Sequence, residues 1–88
     1  MDAKELTALL AAVVGTLAEG GGWCTETQCY MLGGMDWDKW EVLRHALLRG
    51  GLVTMERGVV RLTPKGREMG DRVNAKLKEL EERKRVKT

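Results

Sequence analysis

Serine, isoleucine and phenylalanine are absent from the 88-residue chain, and proline and histidine each occur once. Without serine, and with His45 as the single histidine, the chain has few residues that could form a nucleophile–base pair. It also has no clustered carboxylates for general acid–base catalysis. The triple glycine at 20–22 lacks both the lysine of a phosphate-binding loop and a preceding strand. These absences argue against an enzyme, and we expect a binding protein without a cofactor.

Cysteine is also scarce, since Cys24 and Cys29 are the only two and are not spaced as CxxC. Two cysteines are too few for a disulfide framework. A zinc site would need His45 and would still lack a fourth protein ligand, so no metal is expected. We predict two small thiols, buried or half-buried. A thiol-based sensor is the alternative, but a disulfide between residues five apart would require a favourable turn.

Long hydrophobic runs are missing as well. No apolar run approaches the roughly 20 residues that a membrane span needs. Asp2, Lys4 and Glu5 interrupt any apolar stretch at the start, so no signal peptide is predicted and the cytoplasm is the expected compartment. The scarcity of amides, with one Asn and one Gln beside many Arg, Lys and Glu, is typical of a thermophile or of a GC-rich genome.

The net charge of +2 conceals an asymmetry along the chain. Residues 1–43 carry seven acids and two bases, a net charge of −5, whereas residues 44–88 carry thirteen bases and six acids, a net charge of +7. The basic half is the part expected to meet an anionic partner.

Apolar periodicity predicts a helical domain. A first helix carries one apolar stripe and ends before Gly20. Thr25 and Gln28 form the sequence signature of a capping box at the start of a short second helix. Asp36 is the expected N-cap of a third helix, which ends at Gly50. The stripe of the first helix consists of Leu6, Leu9, Leu10, Val13, Val14 and Leu17; that of the third consists of Trp37, Trp40, Leu43, Ala46 and Leu47.

Residues 53–62 read as a β-hairpin. With Arg57-Gly58 as a two-residue turn, Met55 pairs with Val60 and Val53 with Leu62, so the apolar residues of both strands share one face. Thr63 then caps a last helix, in which Pro64 occupies the first position. The predicted fold is mainly α with a small two-stranded hairpin: a single domain over 1–80 with a three-helix core and an extended C-terminal helix from 64, followed by a frayed basic tail at 81–88.

The stretch LLRGGLVTMERGVVRLTPKGRE, with its L-T-x-x-G entry to the last helix, resembles the end of a recognition helix and the wing of small winged helix-turn-helix regulators of the MarR, PadR and ArsR-like kinds. The resemblance covers residues 25 to about 70. It implies that the third helix enters the DNA major groove and that the hairpin flanks it as a wing. The DNA-binding residues that it implies are Lys39, Val42, His45 and Arg49 on the helix and Arg57 and Arg61 on the wing. Lys65 and Arg67, at the start of the last helix, are expected to help hold a phosphate, because helix N-termini attract anions.

Acidic residues at the start of the third helix depart from this family pattern. Asp36, Asp38 and Glu41 would repel phosphates, although carboxylates in a first turn also complement the helix dipole. Trp37 and Trp40 are expected in the core rather than on a base-stacking surface. An interaction module that meets a protein through this acidic, tryptophan-bearing face is therefore the alternative to a DNA-binding protein.

The last helix is expected to span about 30 Å, more than one small core covers. Gly70, Val73, Leu77 and Leu80 have the spacing of a short coiled-coil seam, which favours a homodimer; the alternative is a helix folded back on the first one. Gly66 and Gly70, four residues apart, indicate close approach to another element. We therefore expect a dimeric winged-helix protein that binds double-stranded DNA, as a transcriptional regulator or a chromatin-type architectural protein.

Overall fold

The computed structural model describes residues 2–86. These residues form an α+β fold of four helices and a small antiparallel sheet. In chain order the elements are α1 (Ala3–Glu19), β1 (Trp23–Thr25), α2 (Glu26–Leu32), α3 (Trp37–Arg49), β2 (Val53–Glu56), β3 (Val59–Leu62) and α4 (Pro64–Val86). No helix in residues 2–86 is both long and apolar enough to cross a membrane.

The predicted helix starts are confirmed, because each depends on a local capping interaction. The Thr25 hydroxyl accepts from Gln28 N at 3.2 Å while Gln28 Oε1 accepts from Thr25 N at 3.0 Å, which completes the capping box of α2. Asp36 caps α3 by accepting from Lys39 N at 2.9 Å. Pro64 occupies the first position of α4, where its missing N–H costs nothing.

The sheet has three strands in the order β1-β3-β2, where a two-stranded hairpin was predicted. The register within the hairpin is the predicted one, with Val53 opposite Leu62 and Met55 opposite Val60. The additional strand β1 pairs with β3 through Cys24 and Val60. Local periodicity cannot reveal pairing between strands this far apart in sequence, so β1 was not predicted as a strand of the sheet.

The hairpin turn places two consecutive residues in the left-handed region. Arg57 has φ 52° and Gly58 has φ 75°. Positive φ at both central residues is the geometry of a type I′ turn, whose twist matches that of the flanking strands. The guanidinium of Arg57 is thereby carried at the tip of the hairpin.

The core lies between the helices and the inner face of the sheet. Trp40 is completely buried, as expected, but Trp37 is 48% exposed, so the expectation that both indoles belong to the core is wrong for Trp37. Trp37 is the first residue of α3, at the end of the helix, and its ring meets Tyr30 at the surface. The buried apolar residues are Val13, Val14, Leu17, Cys24, Cys29, Met35, Trp40, Leu43, Leu47, Leu52, Val53 and Val60.

Glycines allow α4 to pack closely against the rest of the domain, as their spacing predicted. A Cβ at Gly70 would lie 2.5 Å from the Val14 carbonyl oxygen of α1, and a Cβ at Gly66 would overlap the Leu52 carbonyl. Further along, Asn74 Nδ2 donates to the Gly15 carbonyl at 3.0 Å. The first half of α4 therefore folds back on α1.

The two cysteines form a disulfide, which corrects the expectation of two thiols. Cys24 lies in β1 and Cys29 in α2, with their Cα atoms 6.5 Å apart. The chain turns at Thr25, between a strand and a helix, and this turn brings together residues whose sequence spacing alone did not favour pairing. Both cysteines are buried.

The last helix is longer than expected. It continues through Val86, into the segment predicted as a frayed tail at 81–88. Residues 87 and 88 lie outside the described residues.

Candidate functional site

The outer face of α3 carries most of the predicted DNA-contacting residues of this helix. Val42, His45 and Arg49 are exposed there, opposite the buried side of the helix. The acidic residues Asp38 and Glu41 are exposed at its N-terminal end. The helix therefore presents an acidic first half and, at its C-terminal end, a cation.

Lys39 is exposed but is held by a carboxylate of another helix. Its Nζ lies 2.7 Å from Glu5 Oε1 of α1. The hydrogen bond that Nζ donates to Glu5 and the charge of the same carboxylate, with a smaller contribution from Asp36, raise the pKa of Lys39 above its ordinary value. The charge of Lys39 is thus balanced within the protein, and of the predicted contacts on α3 it is the one least available to a phosphate.

Glu26, at the first position of α2, joins this helix to α3. Its Oε1 accepts from Trp40 Nε1 at 2.8 Å and from Arg44 Nη1 at 2.8 Å. The indole N–H of the most deeply buried tryptophan thereby gains an acceptor. Neither Glu26 nor Arg44 was predicted from the sequence, because residues 14 and 18 positions apart meet only once α2 and α3 are packed.

Trp37 forms an aromatic and cationic surface cluster with two neighbours. The Tyr30 ring meets it edge-on, with centroids 5.7 Å apart and an interplanar angle of 87°. The Arg44 guanidinium lies 5.9 Å from the indole centroid. Because Glu26 also binds Arg44, this cluster contributes little net positive charge to the surface.

The predicted basic residues of the hairpin and of the α4 start are exposed: Arg57, Arg61, Lys65 and Arg67. Within residues 2–83, no carboxylate lies within 4.0 Å of these four cations or of Arg49. By contrast, Arg72 and Arg83, further along α4, are bound to glutamates one turn away. These five cations lie at the end of α3, on the hairpin and in the first turn of α4; Lys4 and Lys78 also have no carboxylate within 4.0 Å in residues 2–83.

The four residues predicted for dimerisation divide into two pairs. Gly70 is buried against α1, and Val73 packs beside Gly15, so these two serve the protomer's own core. Leu77 and Leu80 are 54% and 44% exposed. The alternative of a helix folded back on α1 therefore holds as far as Asn74, and the homodimer stays a prediction that concerns the exposed Leu77 and Leu80.

Residues 2–83 contain no group of three or more histidine, cysteine or acidic side chains placed to hold a metal ion. A scan against protein-family models, a search of curated proteins and a search of solved structures each returned no match to this chain. The interpretation of the site therefore rests on its residues and their geometry.

Proposed function

We propose that the chain is a winged-helix protein that binds double-stranded DNA as a homodimer, in transcriptional regulation or as a chromatin-type architectural protein. The order helix, strand, helix, helix, hairpin, helix supports this proposal, as does the pairing of β1 with the hairpin. In this arrangement α3 is the recognition helix and the β2–β3 hairpin is the wing.

The observation that carries the proposal is the run of unpaired cations. Arg49, Arg57, Arg61, Lys65 and Arg67 are exposed on three consecutive elements, and the described carboxylates leave them free. Surface cations gain most when they replace the counterions of a dense polyanion such as duplex DNA. A helix N-terminus beside Lys65 and Arg67 adds an attraction for phosphate.

Within this proposal, α3 contacts DNA mainly through its C-terminal half. His45 and Arg49 supply hydrogen-bond donors to base edges or phosphates, and Val42 offers an apolar contact suited to a thymine methyl group. Arg57, at the tip of the wing, reaches the flanking minor groove or a phosphate. Lys39 contributes less, because Glu5 holds its ammonium group.

A salt-series titration tests the proposal. About five phosphate contacts per protomer predict a slope of log K against log salt of about −4 to −5, doubled for a dimer. Fluorescence anisotropy with random duplex DNA measures the slope, and light scattering on the same samples gives the solution mass. Absence of duplex binding by micromolar protein at about 50 mM salt, where such contacts are strongest, would rule the proposal out.

The acidic end of α3 provides a second test. Under the DNA-binding proposal, Asp38→Asn and Glu41→Gln remove charges that repel phosphate, so both variants bind duplex DNA more tightly than the parent chain. Glu81→Gln, on the distal part of α4, is the matched control and leaves affinity nearly unchanged. Unaltered affinity in all three variants would mean that α3 does not approach the duplex.

A protein partner is the second candidate function, and Trp37 is the observation that favours it. An indole exposed over nearly half its surface lies among Asp36, Asp38 and Glu41, while nearby Arg44 is neutralised by Glu26. Exposed aromatic area beside exposed acidic residues suits a basic protein segment. Quenching of Trp37 fluorescence by a lysine- and arginine-rich peptide, lost in Trp37→Leu, together with no binding of duplex DNA, would select this function.

The proposed compartment is the cytoplasm of a thermophile. A stable disulfide is unusual in the cytosol of mesophiles but common in intracellular proteins of hyperthermophiles. The Cys24–Cys29 bond thus agrees with the amide-poor composition.

A further inference from the structure

An open apolar groove lies beside β1, between the C-terminal end of α1 and α2. Its volume of about 430 Å³ is within the range of small-ligand sites. Among its lining residues, Leu17 and Cys24 are buried, whereas Trp23 and Met31 are 52% and 68% exposed. These two large apolar side chains at the rim of the groove are not covered by the protein's own core. A ligand that occupies the groove would cover them.

The groove also has polar groups placed to read a ligand. Gln28 lines it, and because its Oε1 accepts from Thr25 N, its Nε2 remains available as a donor. Gly22 O accepts from Leu62 N and Glu26 N donates to Gly58 O, both at 2.8 Å. In an antiparallel pair, successive residues direct their backbone N–H and C=O groups alternately toward and away from the partner strand. Because Gly22 bonds to β3, the backbone groups of Trp23 face the free edge of β1, on the groove side.

Two arginines flank the strand that carries Trp23. Arg61 is the direct cross-strand neighbour of Trp23, and both side chains are exposed on the outer face because Cys24 and Val60 face the core. On the other side, the Arg67 guanidinium lies over Gly22, where a Cβ would overlap Nη2. Neither arginine has a carboxylate partner within residues 2–83.

An aromatic ring, an apolar groove, an amide donor and two unpaired guanidinium groups together match an unpaired nucleobase and its adjoining phosphates. We propose that this face of the protein binds single-stranded nucleic acid. One base stacks on Trp23 and occupies the groove, where Gln28 Nε2 donates to its edge, while Arg61 and Arg67 contact successive phosphates. A duplex does not fit the groove, because its bases are stacked inside the helix.

This activity goes beyond the proposed duplex binding and uses residues that duplex binding does not. Arg61 and Arg67 belong to both surfaces, but Trp23, Gln28 and Met31 belong to the single-strand surface alone. A protein with both surfaces would hold a duplex and an adjacent unpaired strand. The test below therefore measures both ligands on the same variants.

The test compares four probes: oligothymidylate of about twelve nucleotides, an abasic oligomer of the same length, thymidine monophosphate and a random duplex. The parent chain is expected to bind oligothymidylate about tenfold more tightly than the abasic oligomer, since stacking of one base contributes roughly five- to 150-fold in affinity. Trp23→Leu abolishes this difference and leaves duplex affinity unchanged, whereas Trp23→Phe, which retains an aromatic ring, preserves most of it. Trp37→Leu is the matched control, because it removes the other half-exposed indole.

Three results would overturn the proposal: equal affinity for oligothymidylate and the abasic oligomer, an undiminished preference in Trp23→Leu, or thymidine monophosphate binding as tightly as the oligonucleotide. The last would assign the groove to a free nucleotide. Circular dichroism establishes whether each variant is folded. If Trp23→Leu does not fold, Trp23→Phe still tests the proposal. Loss of duplex binding alone, with single-strand binding retained, would refute the proposed function and leave this inference standing.

Discussion

At the scale of single residues, Glu26 shows how one carboxylate serves both packing and surface charge. It is mostly covered, with its side chain 20% exposed, and binds the Trp40 indole and the Arg44 guanidinium at once. The first bond satisfies a buried donor. The second removes a cation from the surface beside Trp37. Changing Glu26 therefore alters stability and surface charge together.

Two substitutions of Glu26 separate these roles. Glu26→Ala leaves Trp40 Nε1 buried without its acceptor and should lower the free energy of unfolding by about 1–3 kcal/mol. Glu26→Gln retains an acceptor oxygen and loses only the ion pair, so its cost is smaller. Urea denaturation measures both, with exposed Glu19→Gln as the control. Equal destabilisation by Ala and Gln would show that the indole bond contributes nothing.

The pKa of Lys39 provides a pH test. Because Glu5 raises this pKa in the folded state, the ion pair stabilises fully below the ordinary lysine pKa, and its contribution is lost as pH rises through the raised value. In Glu5→Gln the titration midpoint of Lys39, followed by NMR of the side chain, should move to lower pH. Glu19→Gln, at the other end of α1, should leave it unchanged. An identical midpoint in all three proteins would exclude the Glu5–Lys39 contact.

At the scale of elements, two separate interactions stabilise the strand–helix junction around Thr25. The capping box fixes the first turn of α2, and the disulfide ties that helix to β1. The same short segment carries Trp23 on one side of the junction and Gln28 on the other. The two interactions together hold the proposed single-strand surface in one geometry.

Reduction of the disulfide tests how much this junction stabilises the fold. Closing the short loop between Cys24 and Cys29 should contribute about 2 kcal/mol, so a reducing agent is expected to lower Tm by roughly 10 °C. The double variant Cys24→Ala with Cys29→Ala should melt like the reduced protein and should not respond to the reductant. An unchanged Tm on verified reduction would contradict this expectation.

Elements fixed by neighbouring residues could be predicted from the sequence, whereas those that depend on distant contacts could not. Thr25, Asp36 and Pro64 mark helix starts through interactions within one turn, and the hairpin register follows from alternating residues around Arg57-Gly58. The pairing of β1 with β3 depends on residues more than thirty positions apart. The candidate site divides in the same way. Its cations could be predicted from the sequence. Only the fold showed that most of them have no carboxylate partner and that Lys39 is bound by Glu5.

At the scale of the whole molecule, charge and apolar surface lie on different parts of the chain. The five cations of the candidate site surround the hairpin, whereas Leu77 and Leu80 lie on the part of α4 beyond its contact with α1. In a dimer joined through these leucines, the interface and the basic residues would use different side chains. Dimerisation and nucleic-acid binding are thus compatible in the proposed protein.

Charged substitutions at the two leucines test the dimer. Leu77→Glu with Leu80→Glu should convert a dimer into a folded monomer, because the added like charges repel across the seam and neither side chain belongs to the core of the protomer. Light scattering gives the mass, and circular dichroism confirms the fold. Ala75→Glu, on a different face of the same helix from the two leucines, is the control for added charge. A parent chain that is already monomeric, or a double variant that remains dimeric, would refute this interface.

The length of α4 has a geometric consequence for any two-fold assembly. The helix has 23 residues, about 35 Å at the usual rise, in a molecule whose longest extent is 46 Å. In a dimer joined at Leu77 and Leu80, the stretch between Asn74 and those leucines sets how far apart the two copies of α3 lie and how they are turned. The length of this short stretch would therefore set the distance between the two DNA half-sites that one dimer binds. Inserting one heptad there would change the half-site separation of the operators that the dimer prefers.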